Sequence, residues 1–379
     1  MAHAAKPFVE RQLTALWNMN GSDLLFRAGS PPLARVDGAI RPLEGNGELE
    51  PKETEQIAAA LLAPEQLTIL HNDKEVDFSF EWQGIARFRG NAYHTRGTVA
   101  VCLRLIPAAI PTFDDLGLPP IAEVVAALPQ GFVLVTGPTG SGKTTTMASI
   151  LDRVNTERPC HIVTIEDPIE YVHTPKMAAI SQREIGADTR SFPRALRSAL
   201  REDPDVLLVG EMRDPESIQT TLTIAETGHL VFASLHTNDT AQSLDRVVDV
   251  FPAESQAQVR VQLAGSLAAV ISQRLIPRVD GGRVAAFEVL VANNAVRNLI
   301  KEGKTRQIRN VVLTGQRQGM MTLEMSLSDL VREGVISYDE AIAHSLYPDE
   351  VEKPVPVAPL AEVTPARSSR FASARSGRA

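Results

Sequence analysis

The chain has 379 residues, room for two or three domains at the usual ~150 residues each. Hydrophobic residues make up 44% and charged residues 22%, which excludes a disordered or fibrous chain. With 38 basic against 46 acidic residues the net charge is −8, and this argues against a general nucleic-acid binder, because duplex binding relies on neutralising phosphates with Lys and Arg. The two cysteines, Cys102 and Cys160, lack C-x-x-C spacing, so a disulfide framework is excluded and a zinc module is not expected. They read as reduced thiols. Residues 1–10 lack the apolar run of a signal peptide. Apolar stretches such as 263–271 fall short of the ~20 residues that span a bilayer, so a cytoplasmic protein is expected.

In chain order, residues 8–19 have helical spacing, with Phe8, Leu13, Leu16 and Trp17 as the apolar set. Short strands are predicted at 24–26 and 33–36, the second leading into a turn at Asp37-Gly38. Residues 51–70 read as one or two helices broken at Pro64. Residues 76–82 alternate apolar with polar, as a half-buried strand does, and strands at 86–93 and 98–105 follow. Residues 1–106 therefore form an expected α+β domain with a largely antiparallel sheet. Segment 107–120 holds four prolines and reads as a linker.

A second domain is predicted over 121–350. It opens with a helix at 121–128, after which apolar strands at 132–136, 161–165, 206–209 and 230–234 alternate with helices. Continuous apolar strands of this kind mark a parallel sheet covered on both faces. Beyond Ala257 the pattern reads as mostly helical to about Leu346, with a hairpin-like break near Asp280-Gly281-Gly282. Residues 351–379 lack apolar periodicity and carry Arg367, Arg370, Arg375 and Arg378 among serines, so a disordered tail is expected.

Gly137, Pro138, Thr139, Gly140, Ser141, Gly142, Lys143 and Thr144 fit G-x-x-x-x-G-K-[ST], with Thr145 next in the chain. The glycines let backbone N–H groups curl toward phosphate oxygens, Lys143 brings a charge to the β- and γ-phosphates, and the Thr144 hydroxyl suits Mg²⁺. A strand before and a helix after put the phosphates at a helix N-terminus, so ATP binding is expected. Glu166, Asp167 and Glu170 cluster after an apolar strand, where carboxylates orient water or metal-bound water. Glu211 ends the apolar run 206–209 one residue beyond Gly210, which stands where an Asp is often found, and reads as the acid facing Mg²⁺. Arg213 and Asp214 follow, with a mutual salt bridge as their simplest reading. His229 and His236 flank a strand; His236 is either a γ-phosphate sensor or a structural histidine.

These motifs resemble the secretion ATPases of type II secretion and type IV pili. Residues 200–214, Leu-Arg-Glu-Asp-Pro-Asp-Val-Leu-Leu-Val-Gly-Glu-Met-Arg-Asp, are similar to that family's signature; 166–171 resemble its acidic box and 229–236 its histidine box. Residues 21–24, 35–38, 87–91 and the Ala-Val-Arg-Asn-Leu-Ile segment at 295–300 are most similar to the pilus retraction branch. The resemblance implies a PAS-like N-terminal domain, a RecA-like P-loop ATPase domain with a helical C-terminal part, and a homohexameric ring. It carries the catalytic glutamate onto Glu170, with Glu166 as the other candidate, and the Walker B acid onto Glu211. Arg89, Arg96 and Arg104 are the arginines it would bring to the triphosphate. It also implies a Mg-ATPase retracting type IV pili through an inner-membrane platform protein, with membrane association only through that partner. A motor for pilus assembly or secretion, and a nucleic-acid translocase, are the alternatives. For Arg297 the plainest reading is an exposed helix charge.

Overall fold

The computed structural model describes residues 2–36, 38–107 and 109–354. The Arg- and Ser-containing tail expected to be disordered lies, from residue 355 on, outside the described residues; Val351, at its predicted start, is buried against the last helices.

The first part runs α1 (Ala2–Asn18), β1 (Asp23–Phe26), β2 (Leu33–Val36), β3 (Ala39–Pro42), α2 (Pro51–Leu61), α3 (Pro64–Asp73), β4 (Glu75–Trp82), β5 (Ala86–Thr95) and β6 (Thr98–Pro107). Its six strands form one antiparallel sheet in the order β3-β2-β1-β6-β5-β4. Val9, Leu13 and Leu16, spaced as one face of a helix, bury α1 against Leu24, Phe26 and Phe88. Trp17, predicted to join that face, stays 38% exposed. The β5–β6 hairpin turns through Arg96 and Gly97, both with positive φ, so Arg96 projects from an exposed turn.

A short helix, α4 (Phe113–Leu116), interrupts the proline-rich segment and is capped by the Thr112 hydroxyl, which accepts from Asp115 N. The second part then runs α5 (Ile121–Ala127), β7 (Gly131–Thr136), α6 (Lys143–Glu157), β8 (His161–Glu166), β9 (Ala179–Glu184), α7 (Phe192–Ala199), β10 (Val206–Val209), α8 (Pro215–Glu226), β11 (Leu230–Leu235), α9 (Thr240–Asp249) and α10 (Ala253–Ser266). After these come β12 (Leu267–Pro277), β13 (Arg283–Val291), α11 (Asn294–Lys301), α12 (Ile308–Thr314), α13 (Leu323–Arg332) and α14 (Tyr338–His344). The sheet order is β13-β12-β7-β11-β10-β8-β9, parallel except for β13. In β7, Phe132 and Leu134 face a core built with α7 to α12, whereas Val133 and Val135 face α5 and α6. Both faces are covered, which is why these strands read as unbroken apolar runs.

Two parts of this sheet depart from expectation. Residues 267–291, read as mostly helical, form a long hairpin whose first strand lies beside β7. The apolar run of β12 follows a helix directly, and periodicity alone does not separate a buried strand from a buried helix. Strand β9 was not expected because its sequence, Ala-Ile-Ser-Gln-Arg-Glu, is that of a polar, partly exposed edge strand. Among the described residues no helix is long and apolar enough to cross a membrane.

Candidate nucleotide site

Strands β7, β8, β10 and β11 deliver the P-loop, the 166–171 acidic segment, Glu211 and His236 to one edge of the sheet, the carboxyl edge. Open α/β sheets bind ligands there. The P-loop leaves β7 at Gly137, where a Cβ would overlap the backbone carbonyl of Gln273 on β12, so only glycine fits. It enters α6 at Gly142, whose φ of 89° is left-handed.

Lys143 is buried and its Nζ donates to the carbonyls of Gly137 (2.9 Å) and Pro138 (3.0 Å). Burial lowers its pKa, against the opposing pull of Glu211 and Glu170. His236 joins the lysine to the Walker-type acid: its Nδ1 lies 3.4 Å from Lys143 Nζ, and its Nε2 lies 3.3 Å from Glu211 Oε1. Because the ammonium can only donate, Nδ1 accepts and Nε2–H faces the carboxylate. Arg213 donates to Glu211 Oε2 at 2.7 Å. Burial alone would raise the pKa of Glu211, but Arg213 and His236 outweigh it and hold the carboxyl below its ordinary range. The expected Arg213–Asp214 pair is replaced by this one, since the Asp214 side chain caps α8 by accepting from Ser217 N (2.8 Å). At Gly210 a Cβ would sit 3.2 Å from the carbonyl of Ile165 on β8, a close approach that favours a small residue there.

The two candidate catalytic glutamates differ sharply. Glu166 is buried, accepts from the Thr164 hydroxyl (2.6 Å) and Gln182 Nε2 (3.1 Å), and burial pushes its pKa up to about 7. Glu170 is half-buried and makes no ion pair or side-chain hydrogen bond among the described residues. Its charge is felt by Lys143 on one side and by Arg104 of the N-terminal sheet on the other. Beside it the Tyr171 hydroxyl meets Thr145 Oγ1 at 3.1 Å, tying the acidic segment to the P-loop helix.

Other predicted residues lie elsewhere. His229 sits at the amino edge of the sheet, at the far end of the six-residue β11, roughly 20 Å from His236 at ~3.3 Å per residue. Its Nδ1 is 2.9 Å from the carbonyl of Ile224, where it finishes α8, so within this chain it is not brought to the P-loop. Arg104 is ion-paired with Asp23 (2.8 Å), Arg89 is exposed opposite it across β5–β6, and Arg96 is on the hairpin turn. None of the three touches the P-loop, because each is on a strand or turn of the other sheet. The N-terminal arginine that does reach the second part is Arg87. It donates to Glu184 at 2.9 Å and to Ser79 at 2.7 Å, while Glu184 also accepts from the backbone N–H of Ile169, next to Glu170. Arg87 stands two residues before Arg89, on the same face of a strand, which is the signal that could have singled it out. Arg297 is not an exposed charge: its guanidinium donates to the carbonyls of Ala264, Gly265 and Leu267 at the end of α10, and to Ala292.

The sequence profile of the family described as Type II/IV secretion system protein matches residues 72–281. The type IV pilus retraction ATPase PilT of Pseudomonas aeruginosa is 49% identical over 331 residues, 86% of this chain and 95% of that protein. The chain belongs to the type II/IV secretion ATPase family, in its pilus retraction branch. A twitching motility protein of Neisseria gonorrhoeae is 50% identical over 311 residues, 82% of this chain and 83% of its own. The crystal structure of the pilus retraction motor PilT with bound ADP superposes with a TM-score of 0.84 at 44% identity, covering 90% of this chain and 98% of that one. In this retraction ATPase family member the RecA-like part carries the P-loop edge described above and the N-terminal sheet faces its acidic segment.

Proposed function

We propose that this chain is an ATP-hydrolysing motor that withdraws type IV pilus subunits, working as a homohexamer on the cytoplasmic face of the inner membrane against a pilus platform protein. The observation that carries the chemistry is the joining of Lys143, His236 and Glu211 at the P-loop, with an unpaired Glu170 beside them. The likeness to a retraction ATPase over 95% of that relative's length supports the direction of work.

In this reading the Lys143 ammonium exchanges the carbonyls of Gly137 and Pro138 for oxygens of the β- and γ-phosphates. Glu170 accepts a hydrogen bond from the attacking water; its partial exposure and freedom from partners support it over the sealed Glu166. His236 holds Glu211 in register with the lysine, so a change at the γ-phosphate is felt at the end of β10. Arginines of the N-terminal part, with Arg104 already in the field of Glu170, supply positive charge on closure. The parts 1–106 and 121–350 would move about the segment 107–120 as a hinge.

The residues present fit a magnesium ion. Among the described residues no three His, Cys, Asp or Glu gather to hold a metal, while Thr144 and the ionised Glu211 are hard oxygen donors. Mg²⁺ characteristically keeps waters and phosphate oxygens as ligands and takes only one or two from protein. When bound it neutralises charge building on the phosphates.

The deciding experiment deletes the gene and scores surface filaments together with twitching. Abundant filaments without motility are expected. A bald cell would reverse the direction of force and make this an assembly motor, and normal filaments with normal motility would remove the pilus assignment.

A further inference from the structure

Strand β12, part of a region whose sequence pattern reads as mostly helical, brings one residue, Gln273, against the P-loop at three points. In the β12–β7 register Ser272 pairs with Thr136, so Gln273 lies level with Gly137 at the loop's entry. Its backbone carbonyl fills the space a Cβ at Gly137 would need. Its side-chain Nε2 lies 3.1 Å from where a Cβ of Gly142 would stand. The same Nε2 donates to the carbonyl of Ser141 at 2.5 Å. Gln273 is 1% exposed, and the next residue, Arg274, donates to the carbonyl of His344, with Asn238 as a further acceptor. The strand is thus fixed beside the loop rather than resting on it.

A trans peptide unit points its C=O and its N–H in opposite directions. Holding the Ser141 carbonyl against β12 therefore turns the N–H of Gly142 the other way, away from Gln273. That N–H donates to no group among the described residues. Two polar atoms at this contact, Gln273 Oε1 and Ser141 Oγ, are buried without a partner. Buried polar groups are otherwise almost always satisfied, so a site that leaves two of them open is arranged for something other than stability.

We propose that Gln273 is a positioning residue for the phosphate cradle: through the Ser141 carbonyl it aims the Gly142 N–H at a bound phosphate. The proposal rests on the P-loop binding nucleotide. It assigns Gln273 no contact with the reacting atoms, and so it predicts an effect on affinity rather than on the chemical step.

The test compares the full-length protein with Gln273→Met, which keeps the side chain's length and removes its donor, and Gln273→Glu, which sets a carboxylate against the Ser141 carbonyl. ADP affinity is measured by calorimetry, and kcat and KM for ATP by phosphate release. Thermal unfolding without nucleotide checks the fold. A hydrogen bond to a charged group is lost in aim, so ADP affinity should fall about tenfold in Gln273→Met and further in Gln273→Glu. KM should rise in parallel while kcat changes less than about threefold. ADP-dependent protection of the 137–145 backbone from hydrogen exchange should weaken in both variants.

Unchanged ADP affinity in a folded Gln273→Met protein would overturn the proposal. So would a fall in kcat at constant KM, which would place Gln273 in the chemistry. If Gln273→Met fails to fold, the Gln273→Glu titration decides alone by the same criteria. Failure of the unsubstituted protein to bind ADP would instead bring down the nucleotide reading, and the proposal with it.

Discussion

The two edges of the RecA-like sheet put similar residues to opposite uses. Strand β11 has a histidine beyond each end. At the carboxyl edge His236 makes long contacts, 3.4 Å to Lys143 and 3.3 Å to Glu211, and Glu170 stands near them without a side-chain partner among the described residues. At the amino edge His229 lies 2.9 Å from the Ile224 carbonyl, and Arg297 spends its guanidinium on the free carbonyls that end α10. Helix ends leave such carbonyls unsatisfied, and a half-buried arginine that takes several of them finishes the structure. Polar groups saturated by backbone are structural; those left in long or incomplete contacts beside a phosphate cradle are available to a ligand. Both edges look equally functional as motifs, and only their position along the strand separates them.

The strongest way to break this distinction is to neutralise the two glutamates in turn. Glu170→Gln should keep ADP affinity and lose about 10²–10⁴ in kcat, the range for a positioned acid or base. Glu166→Gln should keep most of its turnover, because the side chain is sealed by Thr164 and Gln182. Its signature lies in stability. Glu166 titrates near 7 in the folded protein and at 4.5 ordinarily, so the folded state holds the extra proton between those values. Stability from this group is fully present below about pH 4.5 and is lost as pH rises toward 7. Glu166→Gln, neutral throughout, should flatten that part of a pH series of denaturant unfolding. Equal losses of turnover in the two variants would show that the acidic segment acts as a unit and not through Glu170.

The histidines give the next largest contrast. His236→Ala removes the bridge between Lys143 and Glu211 and should lower kcat about 10- to 100-fold, with Glu211 returning toward an ordinary pKa. His229→Ala should leave kcat of the isolated chain within about twofold and cost about 1 kcal/mol, the worth of one hydrogen bond. Steady-state phosphate release and thermal unfolding on the same preparations separate the two. A large loss of turnover in His229→Ala, appearing only as protein concentration rises, would mean that the amino edge serves a neighbouring subunit.

Much of the site could be read before the fold was known, for a physical reason. The P-loop, the acidic segment, Glu211 and His236 each sit at the carboxyl end of a short apolar strand, and local patterns report strand ends well. What stayed hidden depends on contacts between distant segments. Gln273 looks like the middle of a short polar stretch, Ser272-Gln273-Arg274, until β12 is paired with β7. Arg87 and Arg89 occupy one face of one strand, and only the approach of Glu184 tells them apart. The turn of the 267–291 hairpin is legible at Asp280-Gly281-Gly282, but its strands are not, because a buried helix and a buried strand have the same composition. The pairing of Arg104 with Asp23, 81 positions away in sequence, is likewise something no local pattern reports.

Arg297 gives the smallest expected effect on turnover and the sharpest check on the amino edge. It lies in the segment 295–300, whose sequence is similar to that of the retraction branch. Its side chain reaches carbonyls from the end of α10, the start of β12 and the residue before α11's cap, Asn293. Arg297→Ala leaves those carbonyls partly buried and unpaired, at about 1–3 kcal/mol each when water cannot reach them. Lysine cannot replace the planar fork, so Arg297→Lys should recover only part of the loss. We expect a lower melting temperature in both variants, alanine below lysine, with ADP affinity and kcat within about twofold at temperatures where the protein stays folded. Should Arg297→Ala melt like the parent and yet abolish filament retraction in cells, the guanidinium must act on a partner, and the separation between a structural amino edge and a chemical carboxyl edge would fail at this residue.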